Sequence, residues 1–228
     1  MAPNGPGIIQ GWPVRDGRMR LLIATGNAGK IRELRALFDP AHWEIITPAE
    51  AGVAGLEVVE DRDTLWENAR KKARAYANAA GLPALADDSG LEVDALDGAP
   101  GVRSARYAGE SATDAQNRAK LLQALEGVPA ERRGARFRAV VAVTFPYGPN
   151  VRFGQGAVEG RIAMDERGDM GFGYDPVFAL PDGRRMAELG RDEKNAISHR
   201  GRAVRDVALL RPWLARPLPD DGPEEASP

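Results

Sequence analysis

The chain contains no cysteine. Disulfides, thiol nucleophiles and thiolate metal sites are therefore excluded, and the composition fits a reducing compartment, which makes the cytoplasm the expected location. Histidine is scarce, with only His42 in a plain loop and His199 near the end of the folded part. No His cluster has zinc-ligand spacing, and no nucleophile elbow supports a serine triad. No apolar run comes near the ~20 residues of a membrane span. Positive charge is not in excess either. The 31 Lys and Arg face 33 Asp and Glu, and a net charge of −2 offers no field for nucleic acid. Residues 1–17 lack the basic and apolar regions of a secretory signal.

What remains is 43% hydrophobic and 28% charged, enough to bury a core as one domain or two closely joined lobes. Residues 1–18, with their Pro and Gly, read as a flexible extension, and 216–228, dense in Pro, Asp and Glu, as a disordered tail. The expected folded body is residues 19–215, with no internal repeats.

Met19 to Thr25 is a short apolar run, predicted as a buried strand. Thr25-Gly26-Asn27-Ala28-Gly29-Lys30 follows, then a helix with Ile31, Leu34, Leu37 and Phe38 on one face. A strand, a glycine turn and a helix start present free N–H groups and a positive dipole end, which suits phosphate, and Lys30 adds a cation. The spacing is not that of a Walker A loop. Asn27 as a simple N-cap and Lys30 as a solvated lysine explain the same residues. Trp43 to Thr47 reads as a second strand, and the loop from Pro48 to Asp63 carries several acids, Glu60 among them.

Thr64 to Ala80 has a capping box, Thr64 with Glu67, and ends at Gly81 and Pro83. Lys72 borders the apolar face of that helix, where it needs an anion or snorkels to water, while Lys71 points away. Leu82 to Ala86 then leads as a strand end into Asp87-Asp88-Ser89-Gly90, where Ser and Gly are expected to break the regular element before Leu91 to Leu96 alternates again. Paired carboxylates at the end of a buried strand suit Mg2+, which takes one or two carboxylates and completes its shell with water and phosphate. A turn cap accounts for them equally.

Further on, Thr113 to Glu126 reads as a structural amphipathic helix, Arg136 to Phe145 as a long strand, and Val151 to Ala163 as one or two more. Gly168 to Phe178 breaks the pattern: its glycines flank Phe172, Tyr174 and Asp175, so a planar ligand can stack there, or the segment is a bulge with core aromatics. Lys194 to Arg200 precedes a helix predicted over Gly201 to Leu214. With Ser198 as its cap, His199 and Arg200 sit in the first turn, where positive charge opposes the dipole and a ligand contact gains weight.

The set TGNAGK, ENARKKA, LADDSGLEVDALDGAPGVRSARYAG, GFGYDP and KNAISHR, in this order, closely resembles the inosine/xanthosine triphosphate pyrophosphatase family across residues 21–212. That resemblance implies an α/β fold, an elongated mixed β-sheet with flanking helices forming two lobes around a central cleft, and a homodimer. It implies Mg2+-dependent hydrolysis of non-standard purine nucleoside triphosphates (ITP, dITP, XTP) to monophosphate and pyrophosphate. Carried onto matching positions, Asp88 is the metal ligand and general base, with Asp87 beside it and Glu60 as a second metal-binding acid in a less typical local sequence. Thr25, Gly26, Asn27, Ala28, Gly29, Lys30, Lys72 and Ser89 resemble the triphosphate binders. Phe172, Gly173, Tyr174, Asp175, Lys194, His199 and Arg200 resemble the base and sugar pocket. Donors such as His199 and Arg200 would favour a 6-keto purine over adenine, because an unmet buried donor costs about 1–3 kcal/mol. Two other readings compete: a pyrophosphatase for modified pyrimidine triphosphates, and a nucleotide-binding protein without turnover.

Overall fold

The structure is a computed structural model that describes residues 8–214. Strands β1 (Val14–Arg15) and β2 (Arg18–Ile23) make a hairpin through Asp16 and Gly17, both at positive φ, the two-residue turn that Asp-Gly favours. Just before it, Trp12 is buried, donates its indole N–H to the Arg20 carbonyl at 2.7 Å and meets Trp43 edge-on at 5.2 Å. Within the flexible extension expected over 1–18, Ile9 packs against the core and Trp12 is buried in it, because an indole with a hydrogen-bond partner is more stable inside than in water. The tail expected over 216–228 lies outside the described residues.

Helix α1 (Ala28–Leu37) starts at Asn27, whose side chain accepts from the Lys30 N–H. Next come β3 (Trp43–Ile46), parallel to β2, and α2 (Leu65–Ala80), capped by Thr64 and closed by Gly81 at φ +64. Strand β4 (Ala84–Val93) runs without a break through the acid pair and Ser89-Gly90, and so corrects the expected interruption. The residues are held because β6 (Gly134–Thr144) pairs with every one of them, Asp87 with Val141 through Gly90 with Arg138. Between these two strands lie the short β5 (Pro100–Gly101) and α3 (Asp114–Ala124), the latter with its Thr113 and Gln116 capping box. Then come β7 (Val151–Ile162), a single strand, and β8 (Phe178–Ala179).

Lys194 belongs to a further helix, α4 (Arg191–Ile197), and α5 (His199–Asp206) starts at the Ser198 cap and ends well short of Leu214. Val207 and Leu210 still reach the core, through turns rather than helix. Helix α5 lies directly on β7 because Gly156 leaves room: a Cβ there would collide with the His199 carbonyl and the Arg202 side chain.

All the strands join one eight-stranded mixed sheet, with β4, β6 and β7 antiparallel at its centre. One core lies between the sheet and α1 and α5, another on the opposite face under α2. A third surrounds Leu91, Val93, Phe137 and Tyr174, with Leu121 of α3. Strand β4 contributes Leu85 to the first, Ala86 to the second and Leu91 to the third. Asp87 to Gly90 therefore lie on β4 between the first two cores and the third.

Candidate active site

Side chains of a strand alternate between faces, so neighbours in sequence part company in space. Asp87 faces α1 and α5. Its Oδ2 is 2.6 Å from Lys30 Nζ and 3.2 Å from Arg200 Nε. Burial alone would raise this carboxyl, but Arg200 and Lys30 override it and hold Asp87 far below the usual carboxylate range. Asp88 faces α2, where Lys72 and Glu60 lie. Two acids expected to face one metal are thus divided, and Asp87 is occupied by two cations.

The acid end has a different balance. Lys72 is 2.5 Å from Glu60, and the Glu60 and Asp88 carboxyls meet beside it. Asp88 is pushed up to about 6, first by burial and then by Glu60, against the pull of Lys72. Its Oδ2 is buried with no protein partner. The loop that supplies Glu60 is held in several places. Asn68 accepts from the Arg62 N–H at 3.0 Å and donates to its carbonyl, Lys71 reaches the Val59 carbonyl at 2.8 Å, and Arg106 reaches that of Glu60 at 2.7 Å. Asn68 and Lys71, the latter expected only to point away from the apolar face of its helix, anchor this loop.

From Asp87 a chain of ion pairs leads away under the cleft. Arg200 is shared among Asp87, Glu33 and the Ser89 hydroxyl, at 3.1 Å to the last. Glu33 is 2.6 Å from Lys194, and Lys194 is 2.5 Å from Asp175. Glu33 was not singled out in the sequence. The signal was available: it lies one turn beyond Lys30 on a buried face, and buried cations elsewhere needed anions.

Asp175 also accepts the Phe172 N–H at 2.8 Å, which fixes the loop carrying that ring. Lys194 Nζ lies 5.0 Å and the Arg200 guanidinium carbon 5.5 Å from the ring centre, a cation–π arrangement on both counts. The ring crosses close to Gly29, where a Cβ would fall 2.6 Å from it. The phosphate-type loop and the aromatic loop thus touch. Tyr174 is buried and donates its hydroxyl to the Ser104 carbonyl at 2.8 Å, so it supports the wall. His199 stacks on Phe137 at 4.8 Å between centres; burial and the nearby Arg200 keep it neutral, and its buried Nδ1 has no partner. Thr25 accepts from the Asn27 N–H at 3.2 Å and shapes the turn, leaving Gly26 with open space around it.

One cleft, with about 120 Å3 of room for water-sized molecules, joins these parts and is lined by Asn27, Lys30, Glu60, Asp88, Phe172 and His199, among others. It is acidic at the Asp88 end and aromatic at the Phe172 end. A polyphosphate carrying a planar base fits that division.

Known proteins match the chain over the same span. The sequence pattern of the Ham1 family covers residues 21–209. A dITP/XTP pyrophosphatase of Geobacter sulfurreducens is 52% identical over 196 residues, 86% of this chain and 96% of the relative. One from Desulforamulus reducens is 50% identical over 188 residues, 82% of this chain and 92% of the relative. Among solved structures, a HAM1 protein from Coxiella burnetii superposes with a TM-score of 0.72 at 44% identity, over 80% of this chain and 93% of that one.

Proposed function

The chain belongs to the Ham1 family, and from that premise we propose that it is a nucleoside triphosphate pyrophosphatase, cleaving ITP, dITP and XTP to monophosphate and pyrophosphate. Such activity clears non-standard purines from the nucleotide pool before they enter DNA and RNA. The observation that carries the reading is one cleft joining a buried acid, pushed up to about 6, to an aromatic, cation-backed pocket.

Asp88 is the general base. A carboxyl near 6 is mostly ionised at neutral pH yet still holds a proton well, the compromise that general-base catalysis favours. Its partnerless Oδ2 is the atom that takes the proton from the attacking water. Lys30 and Lys72 flank the acids and hold the phosphates, and the N–H groups at the start of α1 add to them. Phe172 stacks the base, and His199, neutral and with a ring nitrogen to spare, reads its edge. Arg200 pairs with Glu33 and Asp87 and donates to Ser89, and from that position it backs the pocket.

A divalent cation fits the donor set. Asp88 and Glu60, side by side in the cleft, offer oxygen alone. That is the habit of Mg2+, which takes few carboxylates and leaves positions to phosphate and water. When bound, the cation offsets phosphate charge as the anhydride breaks. The reading includes a homodimer as the working form and the cytoplasm as its location. Absence of cysteine supports the second, and among the described residues no helix is long and apolar enough to cross a membrane.

Pyrophosphate release from ITP, dITP, XTP, GTP, ATP and dUTP, each with Mg2+ and with EDTA, tests the whole. Mg2+-dependent release from the first three is expected. Release mainly from dUTP would remove the purine pocket, and release from none would leave a binding protein.

A further inference from the structure

The aromatic wall of the cleft is held by a helix that the sequence offered only as structural. Helix α3 presents Asp114 and Arg118 one turn apart, and both reach the backbone of Gly173. Asp114 Oδ2 accepts the Gly173 N–H at 2.7 Å, and Arg118 Nη1 donates to the Gly173 carbonyl at 2.9 Å. Gly173 sits at φ +62 with open space where a Cβ would be, so its conformation rather than its bulk is what the pair secures. On either side of it are Phe172 and Tyr174.

Two further contacts close the frame. Asn117, buried on the same helix, accepts the Ala108 N–H at 2.8 Å and donates to the Ala105 carbonyl at 3.1 Å. The Tyr174 hydroxyl reaches the Ser104 carbonyl, next to Ala105. Helix α3 thus holds the segment before it and the aromatic loop after it, and the two hold each other. Glu166 anchors Arg118 from outside at 3.0 Å.

We propose that Asp114 and Arg118 are positioning residues for base recognition: through the Gly173 backbone they set where Phe172 stands against the purine. The inference rests on the proposed pyrophosphatase function. Neither residue touches the acid end, so their loss acts on substrate affinity and base choice, and the hydrolytic step is left nearly intact.

The test is steady-state kinetics of Asp114→Ala, Asp114→Asn and Arg118→Met on ITP and GTP with Mg2+, with thermal melts alongside. For Asp114→Ala and Arg118→Met we expect KM for ITP to rise about tenfold, the size of one lost hydrogen bond in a positioned wall, with kcat within about twofold and the ITP-over-GTP preference reduced. Asp114→Asn keeps an acceptor oxygen and should recover most of the loss. Unchanged KM in folded Asp114→Ala or Arg118→Met, or a fall in kcat alone, would overturn the proposal. If Asp114→Ala does not fold, Arg118→Met decides by the same criteria. A parent enzyme inactive on every triphosphate would instead sink the function on which the proposal rests.

Discussion

On the α1 side of β4, Asp87 meets Lys30 and Arg200; on the α2 side, Asp88 meets Glu60 and Lys72. The first region is balanced. Lys30, Arg200 and Lys194 alternate with Asp87, Glu33 and Asp175, so each buried charge has an opposite neighbour. The second sets two acids beside Lys72, and there burial, with Glu60 adding to it, prevails and pushes Asp88 up to about 6. Two aspartates adjacent in sequence, both buried, thus behave oppositely. The lesson is that burial does not by itself make an acid reactive; the local count of charges does.

The largest way to break the contrast is Asp88→Asn. Loss of a general base costs roughly 10²- to 10⁴-fold in rate, so kcat for ITP should fall by that range while ITP still binds. Turnover within tenfold of the parent would take the base role from Asp88. Next is Arg200→Gln, which leaves Asp87 and Glu33 buried without their shared cation. Breaking a buried pair in this way costs about 3–5 kcal/mol, read as a lower urea midpoint. The double variant Arg200→Gln with Asp87→Asn should recover part of that loss, and no recovery would mean Asp87 is not the group left stranded.

Much of this was legible beforehand, for identifiable reasons. Apolar runs and caps located β2, α1, α2 and β6, because caps and periodicity are local properties. The unbroken β4 was not legible. Ser89 and Gly90 disfavour a strand on their own, and only pairing with Ala139 and Arg138 on β6, distant in sequence, keeps them in one. The site residues were named by motif, but their division into two regions follows from strand alternation through the acid pair, which the expected break had hidden. Glu33 and the α3 clamp were missed because their partners are backbone groups or cations far along the chain. Trp12 was missed because a Pro- and Gly-rich neighbourhood masks a single anchoring indole.

A smaller break lies where the two loops touch. Gly29→Ala puts a methyl 2.6 Å from the Phe172 ring, and overpacking of this kind costs about 1–3 kcal/mol. The ring should move, so KM for ITP rises with a modest fall in melting temperature. Wild-type values on both would mean that the loop gives way freely and that Phe172 is not fixed from this side.

The finest test separates the two regions by pH, in EDTA so that no cation holds Asp88 ionised. His199 is kept neutral by burial, well below 6.5. As pH falls below 6.5, the unfolded chain binds a proton there that the fold does not, and stability drops. Asp88 works in the other direction. Between 3.8 and about 6 the fold binds a proton that the unfolded chain releases, so stability rises as pH falls through 6 and is lost as pH rises through it. In the parent the two contributions oppose each other between about pH 6.5 and 5. Asp88→Asn removes only the second, so it should be more stable than the parent at pH 7.5 and lose that advantage on acidification. Each group contributes at most about 1.4 kcal/mol per pH unit, so the curves should converge by roughly 1 kcal/mol by pH 5. Urea titrations at pH 7.5, 6.5, 6 and 5 measure this directly. Parallel curves would mean that Asp88 titrates as an ordinary carboxylate.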